Sequence, residues 1–238
     1  MERLPVVVLT GFLGSGKTTL LNRWLSERQD LAVIINELGD IGIDQHLTGQ
    51  NRVPVTLLAG GCLCCVIQGS LSSTLRNLFM ARKNGELPAF STLVLETTGA
   101  ADPFGVAAPL EQDPWLKKRF FCQSVLTVVD AVAGVRSLER HPEWLEQIHA
   151  ADALLLSKTG QCQPDALAAL KVQLAALNPS ARIYPEPAPV GLLAQSFPRR
   201  CRVTGSFAPA PSGGSLLSPQ QPVTPPSRHQ LYSASLRW

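Results

Sequence analysis

Eight residues near the start of the chain have the types and spacing to hold a phosphate chain. Gly11-Phe-Leu-Gly-Ser-Gly16-Lys17-Thr18 matches G-x-x-x-x-G-K-[ST] at every fixed position. Glycines let the backbone wrap close to an anion, so that successive N–H groups converge on it at a helix N-terminus. Gly11, Gly14, Ser15 and Gly16 shape that turn. Lys17 would neutralise the β- and γ-phosphates, the Thr18 hydroxyl would ligate Mg²⁺, and Thr19 stands where it can reach the α-phosphate. The alternative is a glycine-rich turn that binds nothing. The apolar strand before the segment and the helix after it argue against that alternative. The glycine fingerprint of dinucleotide-binding folds is not matched, which disfavours an NAD enzyme.

A second set of residues suits a softer ion. Three of the six cysteines, Cys62, Cys64 and Cys65, fall within four residues on an expected loop opened by Gly60-Gly61. Thiolates prefer Zn²⁺ or Cu⁺ to hard cations, and this clustering fits a reducing compartment better than a disulfide framework. In an extended segment Cys62 and Cys64 point the same way, while Cys65 needs a turn to join them. Three thiolates leave a fourth position for Glu37 or for a transferring partner, which suits a carrier better than a structural zinc. The plainer alternative is three small buried residues, since free cysteine packs as a hydrophobe. The scattered Cys122, Cys162 and Cys201 take that plainer reading. So do the four histidines, with His46 the nearest to the acidic loop of Glu37, Asp40 and Asp44. Within that loop Glu37 is the residue placed for a Mg²⁺-linked switch, and some of its neighbours are simple turn residues.

The elements that must position these groups follow from hydrophobic patterning. Val6–Thr10, Leu31–Asn36, Val53–Leu58, Leu93–Glu96, Val125–Asp130 and Ala153–Ser157 are apolar, largely β-branched runs that read as buried strands. Lys17–Glu27, Ser70–Arg82, Trp144–Ala150 and Asp165–Leu177 read as the helices between them, the last opened by Pro164. The expectation is an α/β fold of the P-loop NTPase type, a mostly parallel sheet between helix layers, over residues 1–184. Arg182–Tyr184 is a candidate last strand.

Composition limits the partners. Hydrophobic residues make up 45% of the 238, enough for a buried core. The net charge of +3 comes from Arg199, Arg200, Arg202, Arg228 and Arg237; without them acidic residues outnumber basic ones, which gives no support to a nucleic-acid partner. No segment has the roughly 18 apolar residues needed to span a bilayer, and Met1–Thr10 lacks a signal-peptide cleavage pattern. A cytoplasmic protein with no membrane partner is expected. Residues 185–238 hold ten of the 19 prolines and show no periodicity, so a disordered Pro/Ser-rich tail is expected there. The absence of Lys, Asp and Glu after Glu186 suits either a shifted reading frame of a GC-rich gene or a natural low-complexity tail.

Further segments recur in a fixed order: Asn36-Glu-Leu-Gly-Asp-Ile-Gly-Ile-Asp44, Gly61-Cys-Leu-Cys-Cys65, Glu96-Thr-Thr-Gly-Ala-Ala-Asp102 and Ser157-Lys-Thr. With the P-loop they resemble the CobW-type metallochaperone GTPases, relatives of the urease and hydrogenase nickel-insertion GTPases, over roughly residues 4–184. The resemblance implies GTP hydrolysis, a metal-binding C-x-C-C motif with Zn²⁺ beside the Mg²⁺ of the nucleotide, and a role in zinc or cobalt delivery. GTP and a client metalloprotein are the implied partners, and a homo-oligomer stays open. Glu96 would order water or Mg²⁺ beside the γ-phosphate, and Gly99 resembles the backbone that senses that phosphate in switch GTPases.

Two departures stand out. The family reads its base with [NS]-K-x-D, whereas this chain has Ser157-Lys158-Thr159-Gly160. Lys158 keeps a stem to pack on a purine, but the carboxylate is gone, with Gln161 a partial substitute; the loss is worth about 2–4 kcal/mol of guanine preference. The family's C-terminal α+β domain also finds no counterpart after Tyr184. A binding module with little turnover, and a non-functional truncated product, are therefore the alternatives to an active GTPase.

Overall fold

The computed structural model describes residues 3–36, 55–57, 63–66, 71–99, 102–134 and 142–197. Among them, eight strands form one sheet in the order β3-β4-β2-β5-β1-β6-β7-β8. The strands are β1 (Leu4–Gly11), β2 (Leu31–Asn36), β3 (Val55–Leu57), β4 (Leu63–Val66), β5 (Thr92–Thr97), β6 (Phe120–Asp130), β7 (Ala153–Ser157) and β8 (Arg182–Tyr184). The helices are α1 (Lys17–Glu27), α2 (Leu71–Lys83), α3 (Pro103–Gln112), α4 (Pro114–Lys117), α5 (Pro142–Ala150) and α6 (Pro164–Leu177). Every neighbouring pair is parallel except β3 with β4. The expected parallel sheet between helix layers is observed.

Alternation along the central strands explains the two layers. Val7 and Leu9 of β1 pack with Leu21, Trp24 and Leu25 of α1 on one face. Val6 packs with Leu75, Leu78 and Phe79 of α2 and with Leu110 of α3 on the other. Val6, Val7, Val8 and Leu9 are all at 0% exposure, so both faces of β1 are covered. A third cluster seats Trp144 and Ile148 of α5 and Leu170 and Leu174 of α6 against β6 and β7.

Three sequence expectations need correction. The cysteine segment is not wholly a loop, because Leu63–Val66 is a strand. It runs parallel to β2, with Cys64 opposite Val33 and Cys65 opposite Ile34. Within the span Val53–Leu58 expected as a strand, the described residues Val55–Leu57 are a strand, and it runs antiparallel to β4 rather than parallel. The link from Leu57 to Leu63 is too short for a parallel crossover, which needs a dozen or more residues.

The second correction is an addition: α3, a helix not among those expected, carries both Gly105 and an internal proline, Pro109. Such residues lower helix propensity, yet Asp102 caps the helix by accepting from Phe104 N at 2.8 Å and Gly105 N at 3.0 Å, with Pro103 in its first turn.

The third concerns the boundary at residue 184. Ala188, Leu192, Leu193 and Phe197 are buried in the α1 cluster, Leu192 and Leu193 within a short 3-10 turn over Val190–Ala194. Gln123 Nε2 donates to Leu193 O at 2.8 Å, and Tyr184 OH donates to Gln195 Oε1 at 3.0 Å. The packed chain therefore reaches Phe197. Residues 198–238 of the expected tail lie outside the described residues.

Candidate functional site

The P-loop sits at the C-terminal edge of β1, where β1 gives way to α1. A Cβ on Gly11 would stand 2.4 Å from Val128 O, so only glycine lets β1 lie this close to β6 at the turn. Gly16 caps α1 in the left-handed region at φ 92°. Lys17 is buried, and its Nζ donates to Gly11 O at 2.7 Å and to Phe12 O at 3.1 Å. Burial holds its ammonium below the usual lysine range, against the nearby charge of Glu96, which raises it. Ser15 Oγ is buried and has no hydrogen-bond partner among the described residues. A phosphate oxygen is the kind of group that would satisfy it.

Glu96 comes from β5, the strand beside β1, and is 6% exposed. Its Oε1 accepts from Thr18 Oγ1 at 3.1 Å. A hydroxyl and a carboxylate at this separation are hard oxygen donors, the set Mg²⁺ takes. Gly99 follows β5 and lies against the P-loop: a Cβ there would meet Leu13 N at 2.5 Å. Its carbonyl accepts from Gln147 Nε2 at 2.9 Å, and Gln147 is fully buried on α5. The structure thus brings Gly11–Thr18, Glu96 and Gly99 to one place.

A cleft of about 470 Å³ opens beside Gly16 and Thr19 of α1, and Ser157, Lys158, Gly160 and Glu186 form its far wall. Ser157 Oγ donates to Ser15 O at 2.6 Å, tying the end of β7 to the P-loop. Lys158 takes a left-handed φ of 56°. Its Nζ donates to Gly14 O at 2.9 Å and to Asp130 Oδ2 at 2.6 Å. Asp130, at the end of β6, also accepts from Val132 N and Ala133 N. Burial works to raise the Asp130 pKa, but the hydrogen bonds from Lys158 and the two backbone amides outweigh it and hold the carboxyl below its ordinary value. Ser157, Lys158 and Thr19 therefore meet as the motif spacing implies.

The expected metal ligands are placed less completely. Glu37 and Cys62 lie outside the described residues, as do Asp40, Asp44 and His46. The backbones of Cys64 and Cys65 are described, on β4. No cluster of three or more His, Cys, Asp or Glu suited to a metal occurs among the described residues. Cys122 and Cys162 pack against the core, as expected of them.

Sequence reasoning assigned no role to Asp130, Gln147 or Glu186. Asp130 carried a signal, a carboxylate ending a strand expected in the same sheet as the P-loop. Gln147 and Glu186 carried none, because their placement depends on α5 and on the chain after β8.

A parallel sheet with a phosphate-binding turn after β1 and a lysine wall after β7 defines a P-loop nucleotide-binding protein. Residues 5–185 match the CobW/HypB/UreG nucleotide-binding domain, and the chain belongs to that family. It is 34% identical to the zinc chaperone YjiA of Escherichia coli K12 over 189 residues, 77% of this chain and 58% of that protein. It is 31% identical to the zinc-regulated GTPase metalloprotein activator 1 of Schizosaccharomyces pombe, over 77% of this chain and 46% of the relative. The chain thus spans about half the length of these relatives.

Among solved structures, the Zn(II)-bound YjiA GTPase from E. coli superposes with a TM-score of 0.68 at 32% identity, covering 81% of this chain and 61% of that one. A Zn(II)-bound YjiA variant with one glutamate and two cysteines changed to alanine gives 0.70 at the same identity and coverage.

Proposed function

We propose that the chain is a Mg²⁺-dependent GTPase that couples GTP binding and hydrolysis to zinc delivery. The observation that carries this reading is a register. Glu96 of β5 lies level with Ile35 of β2, and Ile35 lies level with Val66 of β4, the residue after Cys65. Cys65 therefore stands one rung, and Cys64 two rungs, from the level of the carboxylate bonded to Thr18, on one sheet and separated by a single strand. A change at the γ-phosphate that moves the end of β5 has a short backbone route to the cysteines.

Lys17 would offset the charge of the transferring phosphoryl group, and Glu96 would position the attacking water or the ion. Thr18, with Glu96 beside it, would hold the Mg²⁺, which would supply charge neutralisation to the phosphates. Gly99 would report the γ-phosphate through its backbone. Zinc is cargo in this reading, held by Cys62, Cys64 and Cys65 with Glu37, and handed to a client metalloprotein in the cytoplasm. No helix among the described residues is long and apolar enough to cross a membrane.

The test is zinc-dependent turnover. Since the substituted relative is also described as Zn(II)-bound, coupling is a sharper readout than zinc binding. Stoichiometric Zn²⁺ should change GTP turnover or affinity severalfold in the wild-type chain and leave Cys64→Ala/Cys65→Ala unmoved. Equal turnover and affinity with and without zinc would remove the coupling. A second reading, a binding module with little turnover, draws on Gly160; nucleotide binding without phosphate release would favour it.

A further inference from the structure

The family's purine-reading aspartate is absent from position 160, yet the cleft wall is not without a carboxylate. Gly160 and Glu186 line the same cleft with Lys158. Among the described residues, Glu186 is the one acidic residue in that lining. We infer that Glu186 reads the guanine edge, accepting from N1–H and the 2-amino group in place of a side chain at position 160. The inference rests on the reading above, that this cleft takes the base of GTP.

Three observations set Glu186 there. Its Oε2 accepts from Thr159 N at 3.1 Å, so the carboxylate stands one hydrogen bond from the residue preceding Gly160. Its other oxygen takes no hydrogen bond among the described residues. Both flanks of the segment are anchored: β8 pairs with β7 up to Tyr184, and buried Ala188 accepts through its carbonyl from Trp24 Nε1 at 3.2 Å and from Arg23. A residue between two such anchors keeps its place against the cleft.

The chemistry selects the base. Guanine presents two adjacent donors, N1–H and N2–H, to which a carboxylate can accept with both oxygens. Adenine presents an N1 lone pair at the same place, which a carboxylate repels. Gln161 also lines the cleft, but a neutral amide presents one acceptor oxygen beside an NH₂ donor, so it cannot meet two adjacent donors with two oxygens as a carboxylate does. Asp130 is already committed to Lys158 and to two backbone amides.

The experiment measures Mg²⁺-GDP, ADP and IDP affinities by titration calorimetry, IDP being GDP without the 2-amino group. The wild-type chain should prefer GDP to ADP, and GDP to IDP. Glu186→Gln keeps an acceptor for Thr159 N–H but turns a donor toward guanine. It should cut the GDP/ADP ratio by roughly tenfold to a hundredfold and abolish the GDP/IDP difference, as should Glu186→Ala. Adding Gly160→Asp to Glu186→Ala should restore the preference, since a Cβ at Gly160 meets nothing within 4 Å.

A GDP/ADP ratio unchanged in Glu186→Gln overturns the inference. So does equal loss of both nucleotides, which would mean that Glu186 only props the Thr159 turn. A wild-type chain that binds GDP and ADP equally also overturns it while leaving the P-loop reading intact. A wild-type chain that binds none of the three overturns both.

Discussion

At the P-loop end of the cleft nearly every candidate contact comes from one stretch, Gly11–Thr19, with Glu96 added from the neighbouring strand. At the Lys158 end the groups come from separate places: Ser157 from the end of β7 and Lys158 just after it, Glu186 after β8, and Asp130 from the end of β6. The first end is built from backbone and buried side chains, with Lys17 at 8% exposure. The second is more open, its Lys158 side chain 38% exposed. A phosphate chain is the same in every nucleotide and can be met by a fixed cradle. A base differs between nucleotides, and the wall that meets it is free to vary without disturbing the cradle.

This contrast can be broken most directly at Lys17. Lys17→Ala should lower triphosphate affinity by roughly a hundredfold, equally for GTP and ATP, as measured by calorimetry. Unequal losses would mean that the two ends are not separable. The same change should not destabilise the apo fold, because burial depresses the Lys17 pKa. With the folded pKa below 10.5, the unfolded chain binds more protons between the two values, so wild-type stability rises with pH through that window and the variant's does not.

Gly99→Ala is a smaller perturbation. Its Cβ would stand 2.5 Å from Leu13 N, and the P-loop or the strand end must shift. A loss of about 1–3 kcal/mol in denaturant titration is expected, with weaker GTP binding.

Asp130→Asn should have the least effect. Without its ion pair Lys158 is held by Gly14 O but no longer by a charged partner, and nucleotide affinity should fall roughly three- to tenfold. Asp130 has a lowered folded pKa, so its stabilising contribution is full above the unfolded value of about 4 and is lost as pH falls through the folded one. Wild-type and variant melting curves should therefore differ by a constant amount from pH 8 to pH 5 and converge below about pH 4.

Legibility in the sequence followed how local the cause was. The P-loop was readable because its pattern, the strand before it and the helix after it are contiguous. The central strands were readable because burial on both faces leaves unbroken apolar runs. Helix α3 escaped because Gly105 and Pro109 conceal a helix that Asp102 and Pro103 nonetheless start. Strand β4 escaped because Leu63–Val66 is short, and its pairing with β2 supplies what a four-residue run cannot announce. The segment after Tyr184 was read as unpacked because Leu192, Leu193 and Phe197 follow no period; they are buried because α1 and the sheet leave an apolar face for them.

The sequence by itself determined that this chain has a phosphate-binding turn on a parallel sheet, with a thiol-rich segment and an E-T-T-G strand end beside it. Spacing along the chain suffices for such features, since each is made by neighbours in sequence. Tertiary structure decided which residues share the cleft. Hydrogen bonding across β5, β1, β6 and β7 sets Glu96 against Thr18, Asp130 against Lys158 and Ser157 against Ser15. It also brings Glu186 to the wall where Gly160 offers no side chain. Those pairings join residues distant in sequence, and only the sheet order and its register bring them within hydrogen-bond reach.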